Sequence, residues 1–326
     1  MKAIVYTKYG SPDVLHIKKV EKPTPKDNEV LIQVHAAEAT KGDCEMRSFN
    51  FQVKWFWLPL RIALGLINPK RQILGGYFAG EVEAVGKDVA KFKKGDQIFG
   101  CTKLQLGAYG EYLCLPDSHT LASKPNNLSF EQAAAVPLGG LNALHFMKAA
   151  NIQKGEKILI NGAGGSIGVF AVQIAKSMGA VVTSVDSAIK EKMLRRIGSD
   201  HFIDYSKEDF SENGQTYDVI FNMVANSSYS KCVNSLNPKG RFLMGNPRLS
   251  DMLRSVLTST FTDKTVIVAF AGEKVEELLA LKNMIEEGKI KTIVDKIYPL
   301  EQAAEAHRRV ETEQRLGAIV ISMGTS

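Results

Sequence analysis

The chain has 326 residues, enough for two domains, and its 44% hydrophobic and 23% charged residues are ordinary for a globular protein. Its 41 Lys+Arg against 35 Asp+Glu leave +6, which suits an anionic ligand but is spread along the chain, with no basic block or aromatic-interleaved patch to expect nucleic acid from. The N-terminus lacks a signal-peptide pattern, and the most apolar window, residues 56–67, is broken by Pro59, Arg61 and Gly65, well short of the roughly 20 residues of a membrane span, so a cytoplasmic protein is expected.

From residue 1 to 121 short strand patterns dominate. Residues 3–6, 30–36, 80–85, 97–101 and 111–115 are β-rich or alternating runs broken by turns at 21–25 and 93–96, the pattern of a compact β barrel. Residues 46–72 differ, crowding Phe49, Phe51, Trp55, Phe56, Trp57, Leu58 and Leu60 into an apolar insertion. Such an insertion more often fills core or a subunit contact than it walls a substrate pocket. Ser129 with Gln132 three residues on reads as the start of an Ala-rich helix, followed by Pro137 and a second helical stretch.

The stretch 158–176 organises the second half of the chain. Ile158, Leu159 and Ile160 stop at a glycine cluster (Gly162, Gly164, Gly165, Gly168) and the apolar pattern resumes as Val169, Phe170, Val172, Ile174 and Ala175: strand, tight turn, helix. Glycine there permits positive φ and close approach of the backbone, and the helix start at Ser166 and Ile167 presents free N–H groups to an anion. One such turn is weak evidence alone. Here a strand at 181–185 ends in Asp186, 18 residues beyond Gly168, where dinucleotide folds place the acid that meets a ribose. Strands at 201–204, 218–222 and 240–244 then alternate with helices at 189–197 and 227–236, as in a doubly wound parallel sheet. A strand at 265–270, a helix at 275–287, a strand at 293–298, a helix at 301–311 and a strand at 318–322 close the chain; by pattern alone they are a small α+β unit of open attachment. The four cysteines, Cys44, Cys101, Cys114 and Cys232, form no CxxC pair and no metal-spaced cluster and read as reduced thiols.

Seven segments in order, KAIVYTKYGSPDVL, ILGGYFAGEVEAVGKDVAKFKKGDQIFG, AAAVPLGGLNAL, NGAGGSIGVFAVQIAKSMGA, FIDYSKEDF, YPLEQAAEAHRRVE and GAIVI, resemble the medium-chain dehydrogenase/reductase superfamily, in its zinc-free quinone-oxidoreductase-like branch. The resemblance spans nearly the whole chain. It implies an α/β protein with a GroES-like β-barrel catalytic domain built from both chain ends (1–123 and 263–326) and an inserted Rossmann domain (124–262). Zinc-dependent relatives hold their catalytic metal at positions matching Thr40, Gly76 and Leu138, none of which supplies a zinc ligand, and the cysteine-rich structural-zinc lobe is missing; no metal is expected.

Without a Lewis acid, oxidation of simple alcohols is poorly supported, whereas a quinone or α,β-unsaturated carbonyl delocalises the charge of an incoming hydride. The expected activity is therefore hydride transfer from NAD(P)H to a small apolar quinone or enone. By resemblance Thr40, Lys41 and Tyr77 face the cleft, although relatives more often carry Asn and an acid where Thr40 and Tyr77 stand, and structural roles compete for all three. Asp43 reads as an orienting group, Cys44 lacks a nearby His, and the histidines, His145 and His307 among them, read as structural. The resemblance also places Tyr205 at the adenine, Asn142 and Asn222 at the nicotinamide side, and Gly245 at the end of the fifth strand. Asp186 favours NAD(H), while Lys190 pulls toward the 2′-phosphate of NADP(H). Two alternatives stand beside this reading: an enoyl-thioester reductase, thinly supported by Lys70 and Arg71, and a non-catalytic redox-sensing regulator, marked by cofactor quenching of Trp55 or Trp57 without turnover. A homodimer pairing through the strand at 265–270 is expected by analogy.

Overall fold

A computed structural model of the chain describes residues 1–51, 57–268 and 272–324. β1 (Lys2–Val5) and β2 (His16–Lys19) form an antiparallel pair. The long β3 (Glu29–Ala39) is buried along nearly all its length, which requires sheet or helix cover on both faces. α1 (Lys41–Ser48) comes directly after it, and α2 (Trp57–Leu64), the described core of the apolar insertion, buries none of its side chains. β4 (Tyr77–Val85), β5 (Gln97–Cys101), β6 (Tyr112–Pro116) and β7 (Leu121–Ser123) complete the first part, with β3 pairing to β4 and β6, β4 to β5, and β5 to β7, all antiparallel.

α3 (Phe130–Ala134) opens with the expected capping box, Ser129 accepting from Gln132 N and Gln132 accepting from Ser129 N. α4 (Pro137–Ala150) then leads into the second sheet: β8 (Lys157–Asn161), α5 (Ser166–Ser177), β9 (Val181–Asp186), α6 (Glu191–Arg196), β10 (His201–Asp204), β11 (Tyr217–Asn222), α7 (Tyr229–Asn234), β12 (Leu236–Met244), α8 (Leu249–Phe261) and β13 (Thr265–Val268). The six strands are parallel in the order β10-β9-β8-β11-β12-β13. After β10 the chain returns across the sheet to β11, so β8 and β11 flank the point where strand order reverses, the place where such sheets bind ligands.

Two expectations are corrected, and one helix was not expected. β13 hydrogen-bonds to β12 in the six-stranded sheet, so the return to the barrel begins after residue 268 rather than at 263; its predicted end at 269–270 lies outside the described residues. The helix expected over 189–197 splits into a 3₁₀ turn at Ala188–Lys190 and α6. The 13-residue α8 has no counterpart in the pattern reading, because its apolar stripe of Leu249, Leu253, Val256, Leu257 and Phe261 is exposed rather than buried.

α9 (Val275–Glu286) packs Leu278, Leu281 and Ile285 into the core shared by α4, α5 and β8. β14 (Val294–Pro299), α10 (Ala303–Glu311) and β15 (Ala318–Ser322) then rejoin the barrel, where β15 pairs antiparallel with β3 and parallel with β14. The barrel is thus built from both chain ends, as the resemblance implies. Its core, with Ile32, Phe78, Ile98 and Leu115, is fully buried, each such side chain contributing about 1.5–3 kcal/mol by leaving water. The two domains touch where Gly317 N donates to Gly164 O at 3.0 Å. All four cysteines are free and buried, and among the described residues no helix is long and apolar enough to cross a membrane.

Candidate active site

A cleft of about 1290 Å³ runs between the barrel and the mouth of the parallel sheet. At one end, β8 gives way to the glycine turn. Gly162 takes φ 87°, and a Cβ on Gly168 would lie 2.4 Å from Ala163 O, so the crossing of turn and helix admits only glycine there. α5 starts at Ser166 without a side-chain cap, leaving its first N–H groups for an anion. Gly162, Gly165, Ser166, Ile167, Gly168, Asp186, Lys190, Tyr205 and Gly245 all line this end, so the residues present fit the pyrophosphate and ribose of a dinucleotide.

Asp186 is more occupied than its position at the end of β9 suggests. Its Oδ2 accepts from Gly164 N at 2.7 Å, and its Oδ1 accepts from Ser187 N at 2.8 Å and lies 2.9 Å from Lys190 Nζ. Both side chains are almost wholly buried, and the Lys190 stem lies so close over Gly164 that a Cβ there would sit 2.3 Å from Lys190 Cδ. That lid explains why Gly164 does not line the cleft. The ion pair presents ribose with a nearly neutral unit rather than a bare carboxylate.

The other end is built from the barrel. Thr40 caps α1: its Oγ1 donates to Asp43 Oδ2 at 2.6 Å and accepts from Asp43 N at 3.0 Å. Asp43 also accepts from Thr40 N and, through Oδ1, from Gly75 N at 3.1 Å. Burial pushes its carboxyl up, and these donors oppose that push. Asp43 therefore orients its neighbours, and the Thr40 proton is already committed to it. Lys41 pairs with Glu313, also on the cleft wall. Tyr77 donates to Glu273 Oε1 at 3.1 Å. Burial raises the Tyr77 phenol well above its ordinary value, with Glu273 adding, and burial also raises the Glu273 carboxyl.

Beneath Asp43 lies a buried relay that no local pattern announces. Arg47 Nη1 sits 3.2 Å from His307 Nδ1; a guanidinium only donates, so Nδ1 is the acceptor and Nε2–H faces the Tyr109 oxygen at 3.1 Å. Tyr109 in turn leans on Asp43. Cys44 Sγ also meets His307 Nδ1, at 3.4 Å, the His partner that is absent nearby in sequence. It makes no nucleophile, because burial drives the thiol far up and, with Arg47 adding, drives His307 down to about 3.

Of the sequence-predicted site residues, Thr40, Lys41 and Tyr77 meet the dinucleotide turn in one cleft. Asn142 does not line it: the side chain donates to Leu138 O, one turn back in α4, at 2.9 Å. Asn222 does not line it either, since Oδ1 accepts from Asn161 Nδ2 at 2.9 Å and from Ser227 Oγ at 3.1 Å, holding the loop after β11 from behind. Asn161 takes the cleft position instead, with Met223, Asn246, Glu273 and Arg315. Only the placement of Asn161 at the end of β8 carries a sequence signal; the others arrive from separate loops. Of the apolar insertion, Phe51 lines the cleft while Phe49 is buried against Tyr9; Trp55 and Phe56 lie outside the described residues.

Thr40, Gly76 and Leu138 come together on the cleft wall, yet among them the single polar side chain is the Thr40 hydroxyl, already bound to Asp43. This donor set does not fit a catalytic zinc. Residues 26–126 match the alcohol dehydrogenase GroES-like domain family and residues 197–321 the zinc-binding dehydrogenase family. The chain is 33% identical over 325 residues to a quinone oxidoreductase of Sus scrofa, covering 95% of this chain and 94% of that protein. It is 30% identical over 335 residues to a 2-methylene-furan-3-one reductase of Solanum lycopersicum, covering 98% and 79% respectively. The solved quinone oxidoreductase of Coxiella burnetii superposes with a TM-score of 0.88 at 27% identity, covering 99% of each chain. With a barrel closed by both chain ends around a doubly wound parallel sheet, the chain belongs to the medium-chain dehydrogenase/reductase superfamily, in its quinone-oxidoreductase-like branch.

Proposed function

We propose that the protein is a zinc-independent NAD(P)H-dependent reductase of quinones or α,β-unsaturated carbonyls. The observation that carries this reading is one continuous cleft joining the Ser166 helix start to Thr40, Tyr77 and Glu273. A nicotinamide bound there supplies the hydride. The chain's part is to seat the acceptor against the barrel wall and to deliver the proton. With Glu273 protonated, its O–H donates to the Tyr77 oxygen and leaves the phenolic O–H free for the acceptor oxygen. As the acceptor gains negative charge, the proton on Tyr77 passes to it, the Glu273 proton replaces that one, and solvent recharges Glu273.

Asp186 supports NADH as the preferred donor, by a margin narrowed by Lys190, which reduces the repulsion a 2′-phosphate would meet. The thioester alternative asks for a basic mouth, and neither Lys70 nor Arg71 lines the cleft. The edge position of β13 and the exposed stripe of α8 support a homodimer, and four unpaired thiols suit a reducing compartment such as the cytoplasm. The test is loss of reduced-nicotinamide absorbance with a small quinone and a small enone, NADH and NADPH side by side, with a chelator present. Turnover that survives chelation supports the proposal. Binding of both cofactors without consumption of either turns the reading to the redox-sensing regulator.

A further inference from the structure

Glu38 has no ordinary explanation in the fold. It stands on β3 two residues before Thr40, is wholly buried, and neither carboxyl oxygen has a hydrogen-bond partner. Asp43, equally buried five residues on, meets several donors. Ser166 and Arg315 approach Glu38 from the cleft side: both line the cleft and both lower its carboxyl, whereas burial raises it to about 8 with Asp43 adding. Arg315 is turned elsewhere, its Nη1 donating to Val310 O at 2.8 Å and its Nε left without a partner. Tyr77 of β4 and Tyr109 feel Glu38 as a nearby negative charge when it ionises. Glu38 thus lies close to Ser166, the first residue of α5.

An unpaired carboxylate in such a place is costly, and a protonated one is not. The protonation state matters to Ser166. A neutral Glu38 has an O–H to offer the nearby Ser166 oxygen, and that donation leaves the Ser166 proton free to face a phosphate. An ionised Glu38 draws that proton to itself and sets a negative charge under the pyrophosphate.

We infer that Glu38 is a positioning residue for the dinucleotide, neutral beneath the phosphate-binding turn, orienting the Ser166 hydroxyl toward the phosphates and so coupling cofactor binding to one proton. This rests on the dinucleotide reading of the cleft. No bond is made or broken; the complex holds a proton that the free protein releases in alkaline solution.

The test is calorimetric titration of the full chain with NADH from about pH 6.5 to about pH 9, in two buffers of different ionisation heat, for wild type and Glu38→Gln. Wild-type affinity falls about tenfold across that range, about fivefold of it over the last pH unit, with proton uptake on binding. The amide introduced by Glu38→Gln still donates to Ser166 but carries no proton to lose, so that variant binds within about twofold of wild type at neutral pH, with a flat profile and no uptake. Equal slopes and equal uptake in the two proteins overturn the inference, as does a flat wild-type profile. Binding of neither NADH nor NADPH at any pH overturns the cofactor reading itself, and with it the role of Glu38. Should Glu38→Gln fail to fold, infrared difference spectra of the wild type decide: a protonated-carboxyl band that NADH restores at alkaline pH supports the coupling, and its absence overturns it.

Discussion

The two ends of the cleft are made in opposite ways. The cofactor end is backbone: a glycine turn and the uncapped start of α5, with Asp186 and Lys190 arriving within one βαβ unit. The acceptor end is side chains from distant places, Thr40 after β3, Tyr77 on β4, Glu273 before α9 and Glu313 after α10, with Tyr77 bonded to Glu273 and Glu313 to Lys41 across long stretches of chain. A site of the first kind tolerates little change in shape and much change in surrounding sequence. A site of the second kind can change its acceptor by exchanging one loop while the barrel stays intact.

That contrast breaks first at Gly168. Any Cβ there meets Ala163 O, so Gly168→Val costs ~3 kcal/mol of local strain and at least ~100-fold in NADH affinity. Calorimetric titration with a circular-dichroism check of folding measures it, and binding preserved within a few-fold would mean that the turn is softer than its geometry.

At the acceptor end Tyr77→Phe removes the O–H that donates to Glu273 and that the proposed mechanism turns to the acceptor. The expected loss is ~30-fold in kcat with unchanged NADH affinity. Steady-state kinetics beside cofactor titration separate the two, and a parallel loss of cofactor binding would erase the division between the ends. Lys190→Ala probes the cofactor end from its side chains. It leaves Asp186 without its ion-pair partner, so NADPH should weaken ~10-fold relative to NADH; a shift toward NADPH would show that Lys190 does not offset the Asp186 charge.

The smallest effect concerns stability and pairs the two buried groups that support the ends. His307 stays neutral in the fold down to about 3, while the unfolded chain takes up its proton below about 6.5. More protons on the unfolded chain mean stability lost as pH falls through that window. His35 and His119, also lowered mainly by burial, act in the same direction. Glu38 acts oppositely: the fold keeps its proton up to about 8, while the unfolded chain has released it above about 4.3. The two slopes offset each other in wild type between about pH 4.5 and about pH 6. Glu38→Gln uncovers the histidine limb, and its stability falls by ~1 kcal/mol per pH unit on acidification. Denaturant midpoints across that range test this; identical profiles for variant and wild type would mean that Glu38 is not protonated in the fold.

Legibility in the sequence obeys the same division. The strands and helices of the parallel sheet, the glycine turn and the acid at the end of β9 are local patterns of period two, period 3.6 and glycine spacing, and each sits within a short stretch of chain. The helix α8 leaves no such mark because its apolar stripe faces outward, so the periodicity points to no core. β13 reads as the start of the returning barrel, since a short apolar strand has no mark that says which sheet it joins; only its bonds to β12 place it. Resemblance draws Asn142 and Asn222 to the cleft, but their amides are spent on Leu138 O and on the Asn161–Ser227 cluster.

Sequence alone therefore determined the fold class, the family and the glycine turn before α5, because each depends on residues that are neighbours in the chain. Tertiary structure decided the pairing of Asp186 with Lys190, the Arg47–His307–Tyr109 relay under Asp43, the Tyr77–Glu273 contact and the isolation of Glu38. Those depend on which side chains burial forces together and on which of them is left without a partner, and hydrogen-bond satisfaction inside a protein is a property of the packed whole.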